Sequence, residues 1–261
     1  MLNKSIKKGD PLMKIQIHAN ASVNGAAAAE FIAQKINEAI AAQGYARICV
    51  STGASQFEMF QKLVTLDVDW SKVEMFHLDE YIGMPVTHVA SFRKYLTERF
   101  IERLPVGLKA AYLVNGEGDV EANIAYLTEK INEAPIDVGI IGIGENGHIA
   151  FNDPPADFDT DAAYHVVNLD ERCRKQQLGE GWFENLDAVP KQAISMTVKE
   201  ILKAKCIVSV VPHAVKAEAV FNTMQKPLTN RVPATALKTH PDWNLFLDYN
   251  SAKLICDTTG C

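Results

Sequence analysis

The run Asp137-Val138-Gly139-Ile140-Ile141-Gly142-Ile143 is almost continuously apolar, and the polar segment 144–148 follows it directly. An uninterrupted apolar run of this kind is typical of a central strand in a parallel sheet, because helices cover both faces of such a strand. The glycines and polar residues after it predict a loop at the carboxyl end of the strand, where open parallel sheets bind their ligands. The stretch therefore predicts an α/β fold with a binding site at this edge of the sheet.

On both sides of this run, predicted strands and helices alternate along the chain. The other strands are predicted at 14–18, 47–51, 73–78, 111–114, 206–211 and 245–247. The helices are predicted at 26–42, 57–64, 88–104, 120–133, 193–204 and 214–224. This alternation predicts a doubly wound, mostly parallel, Rossmann-like sheet with helices on both faces.

One domain is expected over residues 14–261, since no repeat, low-complexity tract or linker-like segment interrupts the pattern. Residues 1–13 are polar and basic and are interpreted as a frayed leader, not as a signal peptide. The polar segment 154–190 breaks the alternation. Because a long irregular insertion in a compact fold is usually functional, this segment is predicted to be a lid.

Composition limits the classes of partner. The 261 residues are 48% hydrophobic and 22% charged, with a net charge of -6. An acidic surface repels nucleic acid and anionic lipid, so neither is expected as a partner, and a bound phosphate needs a local site. No apolar run is long enough to cross a bilayer. The five cysteines are odd in number and lack metal-binding spacing, which favours a reducing compartment such as the cytoplasm.

Small polar residues follow the predicted strand 47–51, at Ser51, Thr52, Gly53, Ala54 and Ser55. Their hydroxyl groups and a glycine that permits close backbone approach, placed before a helix, suit a bound phosphate. An ordinary strand-to-helix turn with Ser55 as N-cap also explains the segment, which lacks the Gly-Lys-Ser/Thr of a Walker loop.

Charged residues follow two other strands. Asp79 comes at the end of strand 73–78, where it is either a general base in the same crevice or an ordinary surface carboxylate. Lys216 lies early in the helix after strand 206–211, where it is either a solvated charge or a second phosphate anchor.

The loop after the central strand combines an imidazole, an amide and a carboxylate within a few residues. A lone histidine is more often structural than catalytic. Here, however, Asp153 could orient or charge the ring of His148, and Asn146 could donate to the same substrate oxygen.

Two segments carry a family resemblance. They are Leu78-Asp79-Glu80-Tyr81-Ile82-Gly83 and the sequence GENGHIAFNDP at 144–154. With these segments in a pattern that extends over about 15–254, the chain resembles the glucosamine-6-phosphate deaminase/isomerase family. The related 6-phosphogluconolactonases share the strand-end glycines and the histidine, but they are less similar at both segments.

The resemblance implies an enzyme that converts glucosamine 6-phosphate to fructose 6-phosphate and ammonia without a metal or redox cofactor. It places the enolisation base at Asp79, the ring-opening residue at His148, and the residues that assist it at Asn146 and Asp153. The resemblance also assigns substrate and phosphate binding to Ser51, Thr52, Gly53, Ala54, Ser55, Gly147 and Lys216.

The chain departs from the family pattern at several of these positions. Asp153 replaces the usual Glu. Because its side chain is shorter by one methylene, the Asp153 carboxylate is expected to extend about one methylene further into the site. Asn146 stands where many members have Asp.

The phosphate and allosteric sites of the family also lack matching residues. A second phosphate-binding Arg has no clean counterpart, since Gln177 lies near its position with Arg172 and Arg174 nearby. The basic positions of the allosteric site correspond to Ala163 and His165, so activation by N-acetylglucosamine 6-phosphate is not expected.

Other functions stay open at this point. Galactosamine 6-phosphate could be the substrate, because no contact to the C4 hydroxyl is identifiable. A sugar-phosphate lactonase would need no C2 base. A non-enzymatic sugar-phosphate sensor is disfavoured, because such regulators carry an N-terminal DNA-binding module and the first strand here begins near Lys14. The sequence leaves a homo-oligomer open.

Overall fold

The computed structural model describes residues 14–179 and 181–259, so the predicted leader at 1–13 lies outside the described residues. The strands are β1 Lys14–His18, β2 Ala46–Val50, β3 Val73–His77, β4 Asp79–Tyr81, β5 Ala110–Tyr112, β6 Val138–Ile140, β7 Tyr164–Asn168, β8 Gln192–Met196, β9 Cys206–Val211 and β10 Trp243–Asp248. The helices are α1 Ala21–Gln43, α2 Phe57–Leu63, α3 Phe92–Arg99, α4 Val120–Asn132, α5 Glu171–Gly179, α6 Val198–Ile201, α7 Ala217–Gln225 and α8 Tyr249–Thr259. Within the described ranges, no helix is both long enough and apolar enough to cross a membrane.

Seven strands form one parallel sheet in the order β1-β10-β9-β6-β2-β3-β5. β6 lies in the middle, where Ile140 pairs with Val50 of β2 and with Val208 of β9. The central strand predicted from the apolar run is therefore confirmed, and so is the doubly wound α/β class.

Helices cover both faces of this sheet. Along β2, Ile48 and Val50 pack in one cluster with residues of α1, α2 and α3, whereas Cys49 packs in another with residues of α4, α7 and α8. Alternate side chains of a strand point to opposite faces, so the apolar residues of one strand contribute to both layers.

A second, antiparallel sheet joins β4, β8 and β7 in that spatial order. The helix predicted at 193–204 is therefore wrong for its first half, which is strand β8, and only Val198–Ile201 is helical. Residues Ala193 to Met196 are all buried, so their apolar side chains do not mark one helical face. The short helix begins after Thr197, whose side chain accepts a hydrogen bond from the Glu200 N–H.

The segment 154–190 is more regular than its composition indicates, because it contains β7 and α5. Cys173 of α5 and Phe183 pack in one apolar cluster with Tyr81 of β4 and Phe151. This cluster places α5 beside the carboxyl ends of the central strands.

A buried arginine ties the opposite end of the sheet together. The Nε of Arg47 donates to Glu74 at 3.0 Å, and its Nη1 donates to the carbonyl of Ile131 at 3.0 Å. The backbone N–H of Arg47 donates to Asp137 at 2.8 Å. These bonds join β2, β3 and α4 away from the ligand-binding edge, so we assign Arg47 a structural role.

Candidate active site

A cavity of about 260 Å³ lies at the carboxyl ends of β2, β3, β6 and β9. The four polar clusters predicted from the sequence therefore converge on one crevice. The cavity is lined by Ser51, Thr52, Gly53, Ala54, Ser55, Gln56, Leu78, Asp79, Phe92, Gly142, Ile143, Gly144, Glu145, His148, Ala150, Phe151, Gln177, His213, Val215 and Lys216.

The loop after β2 forms one wall. Gly53 has φ 103°, a conformation that favours glycine, and it precedes a short 3₁₀ turn at Ala54–Gln56. Ser55 lies inside this turn and is not an N-cap. Among the described residues, none accepts a hydrogen bond from the N–H of Thr52 or Gly53. These amide groups, with the hydroxyls of Thr52 and Ser55 in the same cavity wall, make a suitable cradle for an anion.

Asp79 stands where the chain leaves the parallel sheet and enters the antiparallel one. The carbonyl of Leu78 accepts a hydrogen bond from Met196 N–H at 2.8 Å, and Asp79 pairs with Ser195. Within the described part of the chain, no donor reaches the Asp79 carboxylate. Burial, followed by the negative charges of Glu80 and Asp153, raises its pKa well above the ordinary value. A carboxylate in this state can act as a general base near neutral pH.

The neighbouring Glu80 is fully buried, and its carboxylate is occupied by hydrogen bonds within the protein. Its carboxylate accepts hydrogen bonds from the Ser91 hydroxyl at 2.7 Å and from the backbone N–H of Arg93 at 2.9 Å. Burial raises its pKa, and these hydrogen bonds act in the opposite direction. Glu80 thus fixes the start of α3, while Asp79 faces the cavity.

A tight loop after β6 presents His148. The N–H of Gly144 donates to the His148 carbonyl at 2.9 Å, and the Asn146 side chain accepts from the His148 N–H at 3.0 Å. A Cβ on Gly144 would lie 2.1 Å from Nε2 of His148, so the ring packs directly over this glycine. Only a residue without a side chain leaves space for the imidazole there.

Asp153 holds the other side of the imidazole. Its Oδ1 lies 2.9 Å from Nδ1 of His148 and accepts from Nδ2 of Asn146 at 3.0 Å. Burial opposes ionisation of Asp153, but its hydrogen bonds, that from His148 foremost, bring its pKa below the ordinary value. The side chain of Asp153, although shorter than the usual Glu, therefore reaches the His148 ring. This contact favours the tautomer with hydrogen on Nδ1, which leaves Nε2 able to take up a proton.

The same group contains one set of atoms that could coordinate a metal ion. A ring nitrogen of His148, an oxygen of Asp153 and the sulfur of Cys173 lie within 4.8 Å of one another. The Cys173 thiol is fully buried and interacts with the Asp153 carboxylate. Because Oδ1 of Asp153 already contacts His148 and Asn146, we interpret Asp153 and Cys173 as a support for the His148 ring.

The helix α5 closes one side of the cavity through Gln177. Its Oε1 accepts a hydrogen bond from the Tyr81 hydroxyl at 2.6 Å, which leaves its NH₂ group as the donor for other partners. Arg174 instead donates to the backbone carbonyls of Leu186 and Val189, so it supports the chain after α5. The side chain of Arg172 lies outside what the structure describes.

Eight of the eleven candidate residues line the cavity, and the other three lie behind His148. Asn146 and Asp153 contact His148, whereas Gly147 has φ 85° and packs against Val232. Gly147 therefore shapes the turn and does not line the cavity. Gln56, Phe92 and Phe151 also line the cavity but were not predicted as site residues. An aromatic or amide residue in a helix or loop is equally common in cores and turns, so its type alone does not indicate a binding site.

Residues 19–245 match the family of glucosamine-6-phosphate isomerases and 6-phosphogluconolactonases. This chain belongs to that family. It is 36% identical over 229 residues to glucosamine-6-phosphate deaminase of Staphylococcus epidermidis, covering 85% of this chain and 93% of the relative. It is 34% identical over 244 residues to the deaminase of Streptococcus sanguinis, covering 93% and 99%.

Solved structures of the family share the fold. A monomeric glucosamine-6-phosphate deaminase superposes with a TM-score of 0.84 at 27% identity, over 92% of this chain and 99% of that one. A putative 6-phosphogluconolactonase of Neisseria gonorrhoeae superposes with a TM-score of 0.71 at 20% identity, over 90% and 98%. At that identity the second likeness concerns the fold alone.

Proposed function

We propose that this member of the family is a glucosamine-6-phosphate deaminase, which converts glucosamine 6-phosphate and water to fructose 6-phosphate and ammonia. One observation carries the proposal. The Asp79 carboxylate, whose pKa is raised, and His148, backed by Asp153, share one cavity with the anion cradle at 51–55. Two proton-transfer groups beside a phosphate site suit an aldose–ketose isomerisation.

The reaction would begin with the closed sugar. Nε2 of His148 takes the proton of the C1 hydroxyl and delivers it to the ring oxygen, so the bond between C1 and the ring oxygen breaks and the aldehyde forms. Asp153 stabilises the positive charge that the imidazole carries between these two transfers. Asn146 holds both partners through its two hydrogen bonds.

Asp79 would then act on the open aldose. Its carboxylate removes the C2 proton, which the neighbouring carbonyl makes acidic, and returns the proton to C1. The C2 imine formed in this way is hydrolysed by water, which breaks the C–N bond and releases ammonia, so the net reaction is a hydrolysis. Each proton transfer has a named protein group, and such groups contribute about 10²–10⁴-fold each. The reaction needs no metal or redox cofactor.

The phosphate would rest on Ser51, Thr52, Gly53 and Ser55, with Lys216 as the cationic partner. Helix α5 and the loops around it would form the lid over the bound sugar, within a single domain spanning 14–261. We infer a cytoplasmic location from free thiols at Cys49, Cys173, Cys206 and Cys256, and a role in catabolism of N-acetylglucosamine after its deacetylation.

The decisive assay measures ammonia and fructose 6-phosphate together after incubation with glucosamine 6-phosphate. Equal molar release of both is expected. Galactosamine 6-phosphate in a parallel reaction tests the C4 epimer. Hydrolysis of 6-phosphogluconolactone with no ammonia from either amino sugar would replace the proposal with a lactonase.

A second test isolates the ring-opening step. His148→Ala should slow turnover of the cyclic sugar more than turnover of an amino-sugar phosphate that cannot close its ring. Equal losses on both substrates would contradict the role of His148.

A further inference from the structure

His213 lies in the wall of the cavity, on the turn that follows β9, with φ 80° and ψ 144°. This backbone conformation is strained for a residue with a side chain, whereas glycine adopts it readily. Strained residues persist only where the surrounding structure holds them, and they gather at functional sites.

The turn is held by Asp248, which is not among the residues that line the cavity. The N–H of His213 lies 3.2 Å from each carboxylate oxygen of Asp248, and its carbonyl accepts from the Lys216 N–H at 3.0 Å. Asp248 is buried, and its Oδ1 also accepts from the Ser251 N–H at 2.8 Å. The backbone of His213 is thus fixed by hydrogen bonds of its own N–H and carbonyl groups. Its imidazole has no hydrogen-bond partner among the described residues.

Among the described residues, the cavity wall offers little positive charge for a phosphate. Of the described residues that line it, Lys216 is the one lysine or arginine. Arg174, which lies near the position of the missing phosphate-binding Arg, is bonded to backbone carbonyls. A phosphate ester has three terminal oxygens, and each accepts more than one hydrogen bond. Lys216 and the 51–55 loop together do not fill this capacity, so a further donor can bind the same phosphate.

We propose that His213 is a substrate-binding residue whose imidazole N–H donates to the phosphate group, opposite the 51–55 loop and beside Lys216. The identity of the ligand as a phosphate ester rests on the proposed function. The assignment explains why a bulky residue occupies a glycine-type conformation at this position: the strained turn places the ring in the cavity wall.

His213→Gly separates binding from stability, because it removes the ring and also relieves the strain. Titration calorimetry with inorganic phosphate should show affinity reduced by about tenfold or more, as expected for loss of a charge-assisted hydrogen bond. The ligand-free variant should melt about 2–4 °C higher than the wild type. A side chain that served only packing would lower Tm on removal and leave phosphate affinity unchanged.

His213→Asn retains an N–H donor and tolerates the left-handed region, so it should recover part of the lost affinity. Lys253→Ala, an exposed cation on α8, is the control and should bind phosphate like the wild type. In turnover assays, His213→Gly should raise KM about tenfold and change kcat less than about twofold.

Phosphate affinity of His213→Gly within twofold of the wild type overturns the assignment. The calorimetry does not depend on turnover. A wild type that binds phosphate through His213 but releases no ammonia would refute the proposed function and leave this assignment standing.

Discussion

Replacing Asp79 by Asn should remove activity and raise stability at the same time. The variant keeps the size of the side chain but cannot accept the C2 proton. We expect kcat for ammonia release to fall by about 10²–10⁴-fold, the contribution of a positioned general base. KM should change little, because the proposed phosphate contacts come from the 51–55 loop and Lys216 and not from Asp79.

The gain in stability follows from the environment of the carboxylate. Asp79 is 6% exposed, and its pKa is raised by burial and by the charges of Glu80 and Asp153. An acid whose folded pKa exceeds its unfolded pKa stabilises the protein below the unfolded value, near 3.9, and this stability is lost as pH rises through the folded value. Each unit of difference costs about 1.4 kcal/mol, which is about 3 °C in Tm for a chain of this size.

The assay is a pair of melting curves across pH 4–8, with ammonia release measured on the same samples. Asp79→Asn should melt higher than the wild type at pH 7.5, and the difference should close towards pH 4, where the wild-type carboxyl is protonated in both states. A variant that melts lower at pH 7.5, or that keeps more than a tenth of the wild-type kcat, would refute the reasoning.

Three further substitutions test the site and its frame. Gly144→Ala should lower kcat by about 10²-fold or more, because the added methyl group displaces the ring of His148. Gly107→Ala is the control and should leave kcat unchanged, since its added methyl group has no other atom within 4 Å. Equal kcat in the two variants would contradict the close packing of His148 on Gly144. Asp153→Glu should cost about 1–3 kcal/mol in urea unfolding and slow turnover, since the added methylene overfills a site that Asp already spans; higher activity would show that the reach of Asp153 is too short. Arg47→Met should lose about 1–3 kcal/mol of unfolding free energy, because the Ile131 carbonyl loses its donor and Glu74 loses one of its two ion-pair partners, the other being Lys109. The kcat should be unchanged, and a large fall in kcat would contradict the structural role.

The sequence predicted those parts of the fold whose pattern is local. β9 was predicted at its observed bounds because its residues are apolar apart from Ser209, and all six are buried. The strand β8 was missed because its burial comes from β4, β7 and the helical layer together, including Ser195, whose hydroxyl accepts from the Phe151 N–H. No local pattern reports such contacts.

The candidate site divides in the same way. Asp79, His148 and Lys216 were identifiable because polar residues that follow predicted strands converge at one edge of the sheet. The contact of Gln177 with Tyr81 depends on how α5 packs, and the backbone conformation of His213 depends on Asp248, which is 35 residues away. These features arise from tertiary structure and leave no mark on sequence spacing.

The place of Asp79 between two sheets affects how the site can be redesigned. A single residue, Leu78, separates β3 from β4, and both flanking strands are paired through their main chains. The proposed proton acceptor is therefore carried by a paired, rigid element, whereas Gln177 and the 51–55 loop come from other segments of the chain. A redesign for another sugar can therefore lengthen or exchange those two segments while the Asp79 carboxylate keeps its position.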